Sequence, residues 1–248
     1  MKVLILAGGF GTRLSEETQD KPKPMVRLNG KPILWHVMSI YASQGITDFV
    51  VACGYKKEII FEYLSNEFCE SWSVDPIDTG ETALTGGRIS QVMDRYPDER
   101  LGVTYGDGLG NVNISELLAF HNNQQTFVTL TAVRPPARFG SVQIKDGFVE
   151  HFGEKNQADE GWINGGFFIL EPETRKYIWD LNEAFEAHVL PRLVVENQLS
   201  AFQHYGFWQP MDTLRERNEL DELARAHTQP WLDVIPSVAI EPNDPFLH

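Results

Sequence analysis

The order of apolar and polar positions divides the first half of the chain into alternating strands and helices. A continuous apolar segment, typical of a strand buried on both faces, covers residues 1–7, and further strands are predicted over 49–53, 101–105 and 127–133. Helical spacing of apolar residues follows Pro32 and recurs over 58–64 and 114–121. Strands that alternate with helices predict βαβ units, and therefore an α/β, Rossmann-like fold with a mostly parallel sheet.

The pattern changes beyond Arg134. Two short segments, 141–144 and 148–152, flank the turn signal Lys145-Asp146-Gly147 and predict a β-hairpin. Further elements are predicted after the hairpin: a strand over 163–170 and helices over 174–180, 186–197 and 213–226.

These elements leave no obvious linker between domains. We expect one domain over residues 1–230, with a small β insertion at about 134–170. The remaining segment, 231–248, contains Pro236, Pro242 and Pro245 and is expected to be an irregular tail.

Composition and charge narrow the class of protein. With 42% hydrophobic and 23% charged residues in 248, the chain can bury a substantial core and has no bias towards disorder. Its formal net charge of −14 argues against nucleic acid or an anionic membrane as a partner, because both select basic surfaces. A site for an anionic ligand in such a protein has to be locally cationic.

The cysteines and the N-terminus indicate a compartment. Cys53 and Cys69 form no CxxC pair and no disulfide framework, so a reduced, cytoplasmic protein is expected. The apolar N-terminal segment is too short for a signal peptide and ends at Gly8-Gly9. No apolar run approaches the length of a membrane span.

A glycine-rich segment, residues 6–14, directly follows the first predicted strand. Glycines at such a turn let the backbone pass close to phosphates and direct its amides at them. The segment is not a dinucleotide fingerprint, because Leu14 replaces the third glycine, and no Gly-Lys-Ser/Thr ends it as in a Walker A loop. An ordinary glycine turn is the alternative. We interpret the following as nucleotide-binding residues: Leu6, Ala7, Gly8, Gly9, Gly11, Thr12 and Arg13.

Lys23 is the second candidate phosphate ligand. It lies ten residues beyond Arg13, within Lys21-Pro22-Lys23-Pro24-Met25. The flanking prolines restrict the backbone on both sides, so the lysine is held in place. Alone, a Lys-Pro pair most often belongs to a solvated loop. After the glycine segment, the lysine fits the role of a fixed positive charge that contacts a phosphate.

Together, Gly8-Gly9-x-Gly11-Thr12-Arg13-Leu14 and Lys23 resemble the signature of the sugar nucleotidyltransferase family. Many members have a proline two residues after the Arg-Leu pair, where this chain has Ser15-Glu16-Glu17-Thr18. With Lys21-Pro22-Lys23-Pro24-Met25, this variant looks like the glucose-1-phosphate cytidylyltransferase subgroup. The resemblance continues, in order, through Cys53-Gly54-Tyr55-Lys56, Asp78-Thr79-Gly80, Thr85-Gly86-Gly87-Arg88, Tyr105-Gly106-Asp107-Gly108, Arg138-Phe139-Gly140, Asn164-Gly165-Gly166-Phe167-Phe168 and the run from Gly206 to Thr213.

Two aspartates are candidate metal ligands. Asp107 follows a buried strand at the sheet edge where α/β ligands bind, and a carboxylate there can hold Mg²⁺. Turn aspartates are common, however, and Asp212 precedes a predicted helix where an N-cap is the alternative role. The resemblance implies that Asp107 and Asp212 are the metal pair, with Mg²⁺ as the cofactor.

The resemblance also implies roles for other residues. Arg13 would neutralise the leaving pyrophosphate, Lys23 the α-phosphate region and Lys155 the phosphate of the incoming sugar. It assigns sugar-phosphate binding to Gly140, Glu154, Lys155, Asn164 and Gly165, a base-reading segment to Thr85, Gly86 and Arg88, and nucleotide binding to Gly106.

The reaction that the resemblance implies is CTP plus α-D-glucose 1-phosphate giving CDP-glucose and pyrophosphate. The attacking phosphate oxygen is already anionic near neutral pH, so positioning and charge neutralisation are sufficient for catalysis. Three alternatives remain open: another nucleotide or acceptor, a non-catalytic nucleotide-sugar-binding subunit, and a metal-dependent glycosyltransferase. The last would need a DxD-type pair, where this chain has Asp107-Gly108-Leu109.

One segment differs from the subgroup. Only residues 65–77 separate the helix ending near Leu64 from Asp78-Thr79-Gly80, whereas the subgroup has a longer segment that helps subunits associate. A shorter segment leaves less surface to bury between chains, so we expect a monomer or homodimer.

Overall fold

The computed structural model describes residues 1–135, 141–145, 148–153, 161–226 and 228–234. The strands are β1 (Lys2–Ala7), β2 (Arg27–Leu28), β3 (Lys31–Pro32), β4 (Asp48–Cys53), β5 (Ser73–Asp78), β6 (Leu101–Tyr105), β7 (Gly108–Gly110), β8 (Val128–Val133), β9 (Ser141–Lys145), β10 (Phe148–Gly153), β11 (Ile163–Asn164), β12 (Phe168–Leu170), β13 (Leu199–His204) and β14 (Trp208–Pro210). The helices are α1 (Ser15–Thr18), α2 (Ile33–Ala42), α3 (Lys57–Asn66), α4 (Thr85–Arg95), α5 (Ile114–Gln124), α6 (Leu190–Val195) and α7 (Leu214–Arg225).

A mixed sheet forms the centre of the described part of the chain. Its order is β11-β8-β12-β6-β1-β4-β5, and β13 pairs with β8. The strands β6, β1, β4 and β5 are mutually parallel, with Val3 opposite both Phe49 and Gly102. β12 is antiparallel to β6 and to β8. The predicted α/β fold is confirmed, and the parallel half carries the strand ends that matter for the site.

Apolar side chains cover both faces of β1, as its continuous apolar sequence predicts. Val3 and Ile5 join one buried cluster, which also contains α2, whereas Leu4 joins a second cluster with α4 on the opposite face. Trp231 is fully buried in the first cluster. The packed region therefore extends into the first residue of the predicted tail, and residues 235–248 lie outside the described part.

Several predicted elements have different forms. The strand predicted over 163–170 is interrupted, because Gly166 and Phe167 have φ of 80° and 46° in the left-handed region. The helix predicted over 174–180 is a 3₁₀ segment, Pro172–Tyr177. The helix predicted over 186–197 begins as a π-helical turn, Phe185–Val189, before α6. Pro191 has no amide hydrogen with which to continue an α-helical ladder there. The hairpin predicted over 141–152 is confirmed by the pairing of β9 with β10.

Helix α4 and the strands β2, β3, β5, β7, β13 and β14 were not predicted. The strand β5 contains Asp75 and Pro76 and lies at the sheet edge, where a proline is tolerated. It occupies residues 73–77 of the short 65–77 segment, and α3 extends to Asn66, so the true connection is residues 67–72. The helix α4 has Gly86-Gly87 in its first turn, and glycine has low helix propensity. The segment 8–18, predicted as a loop, contains the 3₁₀ turn Thr12–Leu14 and α1.

Membrane insertion through a helix has no support in the described residues. None of their helices combines the length and the apolar character that a bilayer span requires.

Candidate active site

A cavity of about 340 Å³ lies at the carboxyl ends of β1 and β6. This edge of a parallel sheet is where α/β proteins bind ligands. The lining residues come from the segment after β1, the segment after β5 and the end of β6, together with side chains from more distant turns. By number they are 6–12, 23–24, 81–85, 88, 105–107 and 212.

The glycine segment after β1 forms one wall of the cavity. Gly11 has φ of 64°, and a Cβ at this position would lie 3.1 Å from both Lys23 Cβ and Thr18 Cγ2. The Leu14 amide donates to the Gly11 carbonyl at 3.1 Å and closes the turn. Only glycine fits this turn without strain, and all the predicted nucleotide-binding residues from Leu6 to Thr12 line the cavity. The Arg13 side chain lies outside the described part of the structure.

Lys23 extends into the cavity between two acids. It begins the 3₁₀ turn Lys23–Met25 and is 8% exposed. Its Nζ donates to Asp107 Oδ2 at 2.6 Å and to Asp212 Oδ1 at 2.7 Å. Burial alone would lower the pKa of this ammonium, but the charges and hydrogen bonds of the two carboxylates outweigh burial and raise the pKa. Lys23 is therefore a charged group at neutral pH.

A two-stranded ladder brings the aspartates together across about a hundred residues of chain. Strand β7, directly after Asp107, pairs antiparallel with β14, so that Gly108 lies opposite Pro210. The Met211 amide donates to the Asp107 carbonyl at 2.9 Å and extends this pairing. Asp212 follows at once, and its carboxylate reaches the same ammonium as Asp107.

The alternative role for Asp212 as an N-cap is wrong. Thr213 is the N-cap of α7 and forms a reciprocal capping box with Glu216. The Asp212 amide also donates to Glu216 Oε2, at 2.8 Å. Because the helix is capped by Thr213, the Asp212 carboxylate can face the cavity.

The donor set at this point fits a hard cation. Within the described residues, no three His, Cys, Asp or Glu side chains form a cluster that could enclose a metal. Two carboxylate oxygens sharing one ammonium fit Mg²⁺, which keeps several waters and takes its remaining ligands from phosphates. A zinc site, in contrast, would need His or Cys ligands.

The predicted base-reading segment is only partly at the cavity. Thr85 and Arg88 line it, but Gly86 does not. A Cβ at Gly86 would lie 2.6 Å from the Glu183 carbonyl oxygen, so this glycine permits close packing of α4 on the 181–185 segment. Thr85 Oγ1 donates to Glu186 Oε2 at 2.7 Å.

Asn164 and Gly165 lie beside the cavity wall and not among its lining residues. Asn164 Nδ2 donates to the Tyr105 hydroxyl at 3.0 Å, and that hydroxyl donates to Glu186 Oε1 at 2.6 Å. Burial, followed by the carboxylate of Glu186, raises the pKa of Tyr105, which therefore remains protonated. Gly165 packs against Val133. The other predicted sugar-phosphate residues, Gly140, Glu154 and Lys155, lie outside the described residues.

Comparison with known proteins identifies the family. A profile described as nucleotidyl transferase matches residues 2–234. The chain belongs to the nucleotidyl transferase family.

Individual relatives agree with this assignment. The nucleotidyltransferase is 43% identical to glucose-1-phosphate cytidylyltransferase of Salmonella typhimurium strain LT2 over 253 residues, covering 93% of this chain and 98% of that protein. It is 38% identical to a probable glucose-1-phosphate cytidylyltransferase of Bacillus subtilis strain 168, covering 93% and 99%. The crystal structure of HddC from Yersinia pseudotuberculosis complexed with GMP-PN is similar with a TM-score of 0.71 at 26% identity, covering 89% and 98%.

Sequence reasoning missed part of the cavity of this nucleotidyltransferase. Phe10, Tyr105 and residues 81–84 line it and were not predicted. Residues 81–84 could have been found from the sequence, because they join Asp78-Thr79-Gly80 to Thr85-Gly86-Gly87-Arg88, two segments that the resemblance includes. Phe10 and Leu84 keep exposed apolar surface, 48% and 45%, at the cavity. Such surface is typical of small-molecule sites.

Proposed function

We propose that this nucleotidyltransferase transfers CMP from CTP to α-D-glucose 1-phosphate and releases pyrophosphate, with Mg²⁺ bound by Asp107 and Asp212. The observation that carries the proposal is the convergence of Lys23, Asp107 and Asp212 beside the glycine turn. Support for the particular substrates comes from relatives named glucose-1-phosphate cytidylyltransferase, which align along nearly their whole length.

The charges at the cavity support a requirement for a cation. Among the described lining residues, Lys23 and Arg88 are positive, whereas Glu81, Asp107 and Asp212 are negative. A triphosphate is a polyanion, and these side chains alone do not offset its charge. Mg²⁺ on the two aspartates would neutralise phosphate oxygens and polarise the α-phosphorus for attack.

The chain's own residues bind and orient the substrates. Amides of the glycine turn donate hydrogen bonds to phosphate oxygens, since the backbone there can approach them closely. Lys23 neutralises charge near the α-phosphate, within reach of both aspartates. Arg13 and Lys155 are proposed to neutralise the pyrophosphate and the incoming phosphate. No group has to remove a proton, because the attacking phosphate oxygen is anionic, and catalysis consists of alignment and charge stabilisation.

Lys23 has to change partners during this reaction. Its ammonium balances the two carboxylates in the structure. A cation held by the two carboxylates would displace the ammonium, which would then be free to contact a phosphate oxygen. Its location on a short turn between Pro22 and Pro24 restricts the backbone, so we expect the side chain to move and not the turn.

A substrate panel tests the proposal. CTP, UTP, ATP, GTP and dTTP are each paired with glucose, galactose and mannose 1-phosphates, and pyrophosphate release is followed under steady-state conditions. We expect CTP with glucose 1-phosphate to give the highest kcat/KM, because the relatives that align at 43% identity are named for that pair. A preference of about tenfold for another pair would refute the proposed substrates but not the assignment to the nucleotidyltransferase class. Binding of nucleotide without pyrophosphate release from any pair would indicate a non-catalytic subunit.

A further inference from the structure

Arg88 is a buried cation at the base of the cavity. It lies on the first turn of α4 and is 4% exposed. Its two terminal nitrogens donate to five acceptors: the Gly8 carbonyl at 2.9 Å, the Cys53 carbonyl at 3.2 Å, the Thr79 hydroxyl at 2.6 Å, the Gly80 carbonyl at 2.8 Å and the Glu81 carbonyl at 3.2 Å.

These acceptors belong to three separate strand ends. Gly8 follows β1, Cys53 ends β4, and residues 79–81 follow β5. The strands β1, β4 and β5 are adjacent and parallel, so their carboxyl ends lie side by side at the sheet edge. One guanidinium thus joins the phosphate-binding turn to the segment that forms the opposite wall of the cavity.

The glycines around Arg88 leave space for it. A Cβ at Gly8 would lie 2.1 Å from Arg88 Nη1, and a Cβ at Gly54 would lie 2.6 Å from the same atom. The Gly8 carbonyl is held twice, by Arg88 and by the Tyr55 amide at 3.2 Å. Because a trans peptide directs its C=O and N–H in opposite directions, the Gly9 amide points away from the guanidinium. Gly9 lines the cavity.

Among the residues that the structure describes, no carboxylate forms a hydrogen bond with Arg88. All five acceptors are neutral. Asp78, whose charge acts on Arg88, is ion-paired with Lys57. Lys23, in contrast, is balanced by two aspartates. Burial lowers the pKa of Arg88, yet a guanidinium remains protonated in proteins.

We propose that Arg88 is a positioning residue that fixes the glycine turn to the 79–81 segment and supplies a positive charge behind the amides that bind the triphosphate. It acts through the backbone and does not read the base. The inference depends on the proposed function only in requiring a nucleoside triphosphate as substrate, whichever base it contains.

Chemical rescue tests this role. Arg88→Ala should lower kcat/KM for the triphosphate by about a hundredfold, the effect of a small misplacement of binding groups. Guanidinium chloride, below denaturing concentration, should restore activity about tenfold by occupying the vacated space, whereas urea and sodium chloride should not. Arg175→Ala removes an arginine paired with Asp94 at the surface and should behave as wild type. A folded Arg88→Ala enzyme with wild-type kinetics, or one that guanidinium does not restore, contradicts the proposal.

Arg88→Lys provides the second test if the alanine variant fails to fold. It retains the charge but cannot reach acceptors on three strand ends at once. We expect kcat/KM to fall by about tenfold, by a similar factor for every triphosphate in the substrate panel. A loss confined to the preferred triphosphate would show that Arg88 reads the base, and no loss would show that it has no positioning role. If wild type uses a triphosphate other than CTP but the variants behave as stated, the proposed substrates fail and this inference stands.

Discussion

Replacing Asp107 or Asp212 by Asn should lower turnover by about a thousandfold or more, the effect of removing a principal electrostatic element of an active site. The change keeps the size of the side chain and removes the charge that we propose binds Mg²⁺. Both carboxylates contact the same ammonium, at 2.6 and 2.7 Å, so each variant should be affected. Turnover is measured as pyrophosphate release at saturating substrates and Mg²⁺.

A matched control separates this effect from a general loss of acidic residues. Asp94→Asn removes a carboxylate that is paired with Arg175 at the surface, 2.7 Å away, and should leave turnover unchanged. Circular dichroism spectra of all three variants should match that of wild type. Near-normal turnover in both active-site variants would rule out the metal assignment.

Lys23→Ala should lower kcat/KM for the triphosphate. The expected loss of transition-state stabilisation is about 2–4 kcal/mol, comparable to removing one preorganised donor. Lys23 is 8% exposed and reaches both aspartates, so its charge lies at the centre of the site. The quantity is obtained from steady-state kinetics with the nucleotide as the varied substrate.

Lys21→Ala is the control for this prediction. Lys21 lies two residues away in the same proline-rich segment, but its Nζ is 4.0 Å from Glu17 at a half-buried surface position. A surface pair of this kind contributes little, so kcat/KM should change far less than in the Lys23 variant. Equal losses at the two positions would mean that the phosphate-binding lysine has been wrongly chosen.

The local parts of the site could be predicted from the sequence because they follow strands that are strongly apolar. β1 and β6 are mostly apolar segments, and the glycine turn and Asp107 come directly after them. The parallel arrangement then places both at one sheet edge, as the alternation of strands and helices indicated.

The position of Asp212 could not be derived in this way. It depends on pairing between β7 and β14, two three-residue strands that are far apart in the chain. β7 reads Gly-Leu-Gly and β14 contains Pro210, so neither has the alternation or β-propensity that reveals a strand. An N-cap was the alternative role for Asp212, although Thr213-Leu214-Arg215-Glu216 also matches the capping-box pattern that the structure shows.

The role of Arg88 was hidden for a different reason. Its five acceptors are mainly backbone carbonyls, which every residue has and which no sequence motif distinguishes. The strand β5, which brings two of those carbonyls into place, was itself missed because of Asp75 and Pro76. The glycines at positions 8 and 54 were visible, but the space that they leave for a guanidinium was not.

The most direct test of nucleotidyl transfer from CTP to glucose 1-phosphate is phosphorus NMR of the products. The protein is mixed with the two substrates and Mg²⁺, and the phosphorus signals are followed over time. The account predicts that CDP-glucose and pyrophosphate appear in equal amounts as both substrates disappear, and that the Asp107→Asn enzyme produces neither at a comparable rate. Release of CMP or inorganic phosphate without a new sugar-linked diphosphate, or no consumption of CTP at all, would contradict it.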